Sequence, residues 1–155
     1  MLALVRRREE TMTVRRLLEG KGWFVPVIRS GLTLSDVIDQ LAVDEAGALI
    51  VTDDGTRVLG IITERDIARG LKKYGRDVVD KPLRELMTEE VICVDVNEPV
   101  SAVLQLMHDH QIHYVPVKDR GSLCGIINML DLVKYRLDQT QSEANALKSY
   151  ICGSA

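Results

Sequence analysis

The stretch Val58-Leu59-Gly60-Ile61-Ile62-Thr63-Glu64-Arg65-Asp66-Ile67 recurs downstream as Leu123-Cys124-Gly125-Ile126-Ile127-Asn128-Met129-Leu130-Asp131-Leu132. Each copy is an apolar run carrying one glycine, then a polar residue, then an aspartate three positions on. A short apolar run bounded by polar residues reads as a buried strand, and Thr or Asn with an acid three residues later reads as a helix start. The repeating unit is therefore strand, polar turn and helix N-terminus, with a carboxylate in the first helical turn. Such a terminus presents unpaired backbone N–H groups and the positive end of the helix dipole, which suits an anion.

The flanking segments repeat as well. Ser35, Val37, Val51, Asp53 and Gly55 correspond to Ser101, Val103, Val117, Asp119 and Gly121. In the first half, Trp23 to Ile28 reads as an extended segment with Pro26 favouring a sheet edge. Thr33-Leu34-Ser35-Asp36 opens a helix with a capping-box pattern, and Leu34, Val37, Ile38, Leu41 and Ala42 mark its inward face. Ala48 to Val51 and Val58 to Ile62 read as hairpin strands about an Asp53-Asp54-Gly55 turn. In the second half the strands are expected at Val91 to Val94, Tyr114 to Val117 and Leu123 to Ile127. Met129 to Leu137 is a closing helix, and the tail from Ser142, with Ala144, Leu147 and Ile151 at helical spacing, predicts a separate last helix. The expected divisions are an arm with a short helix over 1–20, a first repeat over 21–75, a linker over 76–88, a second repeat over 89–137 and a terminal helix over 138–155. A unit of some 60 residues buries its own surface poorly, so the two should pack together.

Composition narrows the function classes. The chain has 155 residues, 46% hydrophobic but only 4% aromatic, and a net charge of −3. An aliphatic core follows, with no basic face for nucleic acid and few rings for base stacking. Cys93, Cys124 and Cys152 are odd in number and widely spaced, which fits a reducing compartment and neither a disulfide framework nor a zinc site. Met1 to Val5 is too short for a signal-peptide core, and Arg6-Arg7-Arg8 follows it rather than precedes it. No run approaches the roughly 18 apolar residues of a membrane span. A cytoplasmic protein is expected. His108 and His110 lie about 200° apart on a helix, so they do not share a metal readily. The sequence carries no Gly-x-Ser-x-Gly, Walker lysine or suggestive Cys/His pair, so no catalytic group is assigned.

A β-α-β-β-α unit ending in a glycine-bearing strand and Thr-x-x-Asp, present twice, resembles a tandem pair of CBS domains over about Lys21 to Leu137. The linker Leu83-Arg84-Glu85-Leu86-Met87-Thr88 is similar to the family's Met-Thr ending before a second repeat. Gly60 to Asp66 is similar to a form common in small, stand-alone bacterial members. The tail Ser142-Glu143-Ala144 through Leu147-Lys148-Ser149-Tyr150-Ile151 resembles the closing helix of that subgroup. The resemblance implies an α/β (α+β) fold of two pseudo-symmetric repeats packed as one module, normally a homodimer.

By the same resemblance Asp66 and Asp131 hold ribose hydroxyls. Taken alone, Thr63 and Asp66 are a capping box, and that role is compatible with ligand binding. Arg65 is either a solvated surface group or a phosphate clamp. Asn128 stands where the family usually has Thr or Ser, and Leu130 where relatives often have Gly. His113 and Tyr114 occupy positions that commonly read Arg-His in related proteins, and a histidine there would make phosphate binding sensitive to pH. Adenine is implied against the opposite repeat: Pro26, Val27, Ala46 and Ala48 facing Asp131, Ile92 and Val94 facing Asp66, with Tyr114 in the same class. All of these also suit plain core. The expected function is a regulatory module for an adenosine nucleotide, AMP first, with ATP, ADP, NAD(H) or S-adenosylmethionine as competitors. An interaction scaffold with empty clefts is the alternative, and a nucleotide-processing enzyme a more distant one. No nucleic-acid or membrane partner and no catalytic cofactor are expected.

Overall fold

Two three-stranded sheets, one per repeat, organise the computed structural model, which describes residues 11–153. In the first, β1 (Val27–Ile28) pairs parallel with β2 (Ala48–Val51), which pairs antiparallel with β3 (Gly60–Thr63). The second repeats that order with β4 (Val94–Asp95), β5 (Tyr114–Asp119) and β6 (Ser122–Asn128). Each parallel pair needs a crossover. It is supplied by α2 (Leu34–Asp44) in one repeat and α4 (Val100–His110) in the other. Both crossover helices end on a left-handed residue, Glu45 and Gln111, so the duplication extends to the helix ends. The expected mixed α/β architecture of two repeats is the one observed.

Alternation along the strands explains how the halves join. All four residues of β2 are buried. Leu49 and Val51 point toward Leu34, Val37 and Leu41 of α2, while Ala48 and Ile50 point the other way. On that second face Ala48, Ile50 and Ile61 meet Ile126 of the other repeat, with Tyr114 and Leu123 packed against them. The Leu123 N–H also donates to the Thr56 carbonyl across the join, at 2.8 Å.

The segments preceding each repeat are exchanged. Helix α1 (Val14–Lys21) buries Val14 and Leu18 in the core of the second repeat, beside Val96, Val100 and Ile127. Its Val14 N–H donates to the Glu98 carbonyl, and Val100 N–H returns a bond to the Met12 carbonyl. The linker does the same for the first repeat: Leu83 N–H donates to Leu32, Leu34 N–H to Lys81, and Leu83 is fully buried. Arg15 pairs with Asp119 at 3.1 Å, and Arg84 bonds the Ser30 hydroxyl, which in turn donates to Asp53, the residue equivalent to Asp119.

Four local readings are corrected. The short helix expected within 1–20 runs Val14–Lys21 with Thr13 as N-cap, continuing through Gly20 to Lys21. Of the segments expected at Trp23 to Ile28 and Val91 to Val94, the ladders take in only Val27–Ile28 and Val94–Asp95; Trp23 and Phe24 are 40% and 67% exposed, so no burial fixes a longer strand there. Asp53-Asp54-Gly55 belongs to a wider loop, because Asp53 turns back to Ser30 and Asp54 accepts from the Thr56 and Arg57 N–H groups. Those two backbone bonds hold the Asp54 carboxyl at a pKa of about 2. Finally, the closing and terminal helices are one, α5 (Met129–Cys152), since no glycine or proline interrupts the run and the Ser142 hydroxyl donates to the Asp138 carbonyl within it.

Close packing of the linker against β3 demands a glycine at position 60. A Cβ there would lie 2.8 Å from the Met87 sulfur and 2.9 Å from the Thr88 carbonyl oxygen, and the latter is backbone that cannot swing aside. Gly60→Ala is expected to cost about 1–3 kcal/mol, read as a melting point lower by several degrees. Gly20→Ala, which meets nothing within 4 Å, is the control and should leave the melting point level or slightly raised.

Candidate functional site

Strand β3 passes directly into α3 (Glu64–Tyr74) at Thr63, whose extended backbone makes it the N-cap. The Asp66 carboxylate folds back to accept from the Thr63 N–H at 2.8 Å and its hydroxyl at 2.9 Å, and Asp66 is only 4% exposed. Its other oxygen meets the Arg69 guanidinium from the next turn. The second copy builds the same cap at the start of α5: Asp131 accepts from the Asn128 N–H, and Asn128 Oδ1 accepts from the Asp131 N–H, both at 2.9 Å. Asparagine thus replaces threonine without loss of the capping box.

Two cavities flank the join between the repeats. The first, about 370 Å³, is lined by Thr63, Arg65, Asp66 and Arg69 of the first repeat and by Glu90, Ile92, Ile112, His113 and Tyr114 of the second, with Thr88 of the linker. The second, about 710 Å³, is bounded by Pro26, Ala46 and Ala48 of the first repeat and by Ile126, Asn128 and Leu130 of the second, with Lys21 at its margin. Gly47, Glu64 and Tyr114 line both. Burial, and then the neighbouring Glu64 carboxylate, push the Tyr114 hydroxyl above its ordinary pKa.

A model of the CBS domain matches residues 24–73 and 83–138. The chain belongs to the CBS-domain family. Among solved structures it is similar to the CBS-domain containing protein ATU1752 from Agrobacterium tumefaciens, at 30% identity and a TM-score of 0.77, covering 81% of this chain and 99% of that one. It is 33% identical over 115 residues to a 17.7 kDa protein in the bps2 3′ region of Acidianus ambivalens, covering 74% of this chain and 68% of that protein. It is also 33% identical over 126 residues to the mitochondrial CBS domain-containing protein CBSX3 of Arabidopsis thaliana, covering 78% of this chain and 61% of the relative. A CBS pair is a regulatory, ligand-binding class of module. No helix among the described residues is long and apolar enough to cross a membrane.

The CBS cleft at the first cavity brings together Thr63, Arg65, Asp66, Ile92, His113 and Tyr114. The second gathers Pro26, Ala46, Ala48, Asn128 and Tyr114. Two expected adenine contacts are placed elsewhere. Val94 is packed in the second repeat's core among Val96, Val117 and Ile127, because β4 turns it inward against β5. Val27 is 41% exposed, since its neighbour Ile28 takes the inward position on the edge strand. Asp131 does not line the second cavity; Lys21 holds its carboxylate at 2.6 Å. No group of three or more His, Cys, Asp or Glu among the described residues is placed to hold a metal.

Sequence reasoning missed Arg69, Glu64, Glu90, Gly47 and Lys21. Arg69 was findable, because a residue three beyond Asp66 shares its helix face. Lys21 had no local signal, its partner being more than a hundred residues away. Gly47 is required by Tyr114: a Cβ at position 47 would stand 2.1 Å from the tyrosine oxygen and 3.1 Å from Cζ. Gly47→Ala is therefore expected to destabilise by about 1–3 kcal/mol. Adding Tyr114→Phe should recover most of that loss, and a double-mutant cycle by denaturant unfolding measures the coupling. Additive losses would mean that the two repeats do not meet at this contact.

Proposed function

We propose that this CBS pair is a sensor of an adenosine nucleotide, AMP first, with ATP, ADP, NAD(H) or S-adenosylmethionine as competing ligands. The observation that carries the reading is the cavity at Asp66, where a buried carboxylate, two guanidinium groups and a helix N-terminus face apolar side chains of the other repeat. Its volume of about 370 Å³ falls within the range of small-ligand sites. In this reading Asp66 takes the ribose hydroxyls, with Arg69 moving off the carboxylate into solvent. Arg65, His113 and the first turn of α3 hold the phosphate. Adenine lies against Ile92 and Ile112. Asp131 and Asn128 are the corresponding groups of the second cleft, where Leu130 stands in place of Arg65.

Binding of this kind joins the repeats, because the carboxylate comes from one and the apolar wall from the other. A ligand that contacts both favours the arrangement in which its contacts are best, and a partner protein reads that shift. We place the module in the cytoplasm, in keeping with its three unpaired cysteines, Cys93, Cys124 and Cys152. A scaffold with unoccupied clefts is the competing reading; what favours it is that Asp66 is already engaged by Thr63 and Arg69.

A thermal melt of the nucleotide-stripped protein with millimolar AMP decides between them. Ligand at about a hundred times its dissociation constant adds roughly 2.7 kcal/mol, a rise of about 5–10 °C for a chain of this size. Asp66→Ala should abolish the rise. A flat response to AMP, ATP, NADH and S-adenosylmethionine alike would leave the scaffold.

The same reading includes a homodimer. Val133 and Leu137 of α5 are 43% and 66% exposed on adjacent turns, and Leu147 and Ile151 continue the exposed apolar surface further along. Leu137→Glu is expected to shift a dimer toward monomer in sedimentation analysis while leaving the melting point within a few degrees. A wild-type monomer at tens of micromolar would count against dimerisation.

A further inference from the structure

The two clefts share a motif, but their carboxylates have different neighbours. The Ile61 carbonyl accepts from the Thr88 backbone N–H at 2.9 Å, whereas the equivalent Ile126 carbonyl accepts from Lys21 Nζ at 2.8 Å. That same ammonium lies 2.6 Å from Asp131 Oδ2. One lysine at the end of α1 therefore covers both the carboxylate and a backbone acceptor beside it. At the first cleft the Thr88 backbone takes the equivalent carbonyl, and an acid, Glu90, lines the cavity.

The cations touching the two aspartates also differ in how they are held. Arg69 belongs to the same helix as Asp66 and its side chain is 68% exposed, so it can swing into water without moving backbone. The Lys21 side chain is 29% exposed, and Asp131 beside it 18%. Lys21 is anchored through α1, whose Val14 and Leu18 are fully buried in the second repeat. A ribose diol binds a carboxylate by donating hydrogen bonds, as an ammonium does, so at Asp131 a diol competes with Lys21 for Oδ2, which also accepts from the Asn128 N–H.

Resting on the nucleotide reading above, we infer that Lys21 is the residue that makes the clefts unequal. It occupies Asp131 in place of ribose and confines nucleotide binding to the Asp66 cleft. The pair then acts as a one-ligand sensor although it carries two copies of the motif.

Equilibrium dialysis of the full chain against radiolabelled AMP tests this, using wild type, Lys21→Met and Lys21→Gln, each first checked for a native circular dichroism spectrum. Lys21→Gln keeps a polar head, so that one variant stays informative if the other does not fold. Wild type is expected to bind one equivalent per chain, lost in Asp66→Ala, and the Lys21 variants two. The added equivalent should vanish when Asp131→Ala is combined with the Lys21 change. One Asp66-dependent equivalent in wild type and in both Lys21 variants overturns the role of Lys21 and leaves the Asp66 cleft standing. Two equivalents in wild type also overturn it. No binding by any of these proteins overturns both readings.

Discussion

A three-stranded sheet whose strands are apolar on both faces has to be covered twice. In each repeat the crossover helix covers one face, and α2 does so through Leu34, Val37 and Leu41. The other face, carrying Ala48, Ile50 and Ile61, is covered in part by Val25 and Val58 and meets Ile126, Tyr114 and Leu123 of the second repeat. Burying such side chains contributes on the order of 1.5–3 kcal/mol apiece, so neither half is expected to hold its structure alone. The join between the sheets follows from this need, and the clefts lie along its margins.

The exchanged segments tie the halves further. Because α1 completes the core of the second repeat and the linker that of the first, the boundary between repeats in sequence is not the boundary in space. A cut at the sequence boundary would leave the second repeat without Val14 and Leu18 and put a cavity in place of a buried valine and a buried leucine. The same exchange brings Lys21 to Asp131 and Thr88 to the Asp66 cavity. Elements that look like flanking punctuation thus furnish part of both sites.

Duplication gives two sheets of the same strand order, and divergence at a few positions gives them different chemistry. Thr63 and Asn128 cap their helices equally well, so the difference between them alters little in the fold. Arg65 and Leu130 stand at equivalent places in the first helical turn, and that exchange removes a cation from the second cavity's wall. Tyr114 and Gly47 fit as a pair across the join, the hydroxyl occupying the space that a side chain at position 47 would need. Gly47, Tyr114 and Glu64 line both cavities, so all three stand between the clefts.

Much of this was legible in the residues alone. The repeat, the strand-to-helix turns with their capping boxes, the inward positions Leu34, Val37 and Leu41 of α2, and the α/β class all depend on contacts within a few positions, where periodicity and capping chemistry speak directly. So did the grouping of Thr63, Arg65 and Asp66 on one turn. Ile38 and Ala42, expected on the same face of α2, are exposed because the helix buries a narrower stripe. What the sequence could not determine were pairings over long separations and the side of a sheet on which a residue falls. Val27 differs from Pro26 by which way the edge strand turns it, and a shift of one residue reverses that; Val94 differs from Ile92 because Val94 enters the ladder with β5 and Ile92 precedes the strand. Whether α5 breaks at Ser142, whether α1 docks on the near or the far repeat, and which cation reaches which aspartate were settled only by packing. The physical reason is that local propensity decides where a helix begins, whereas burial of a whole sheet face decides what lies against it.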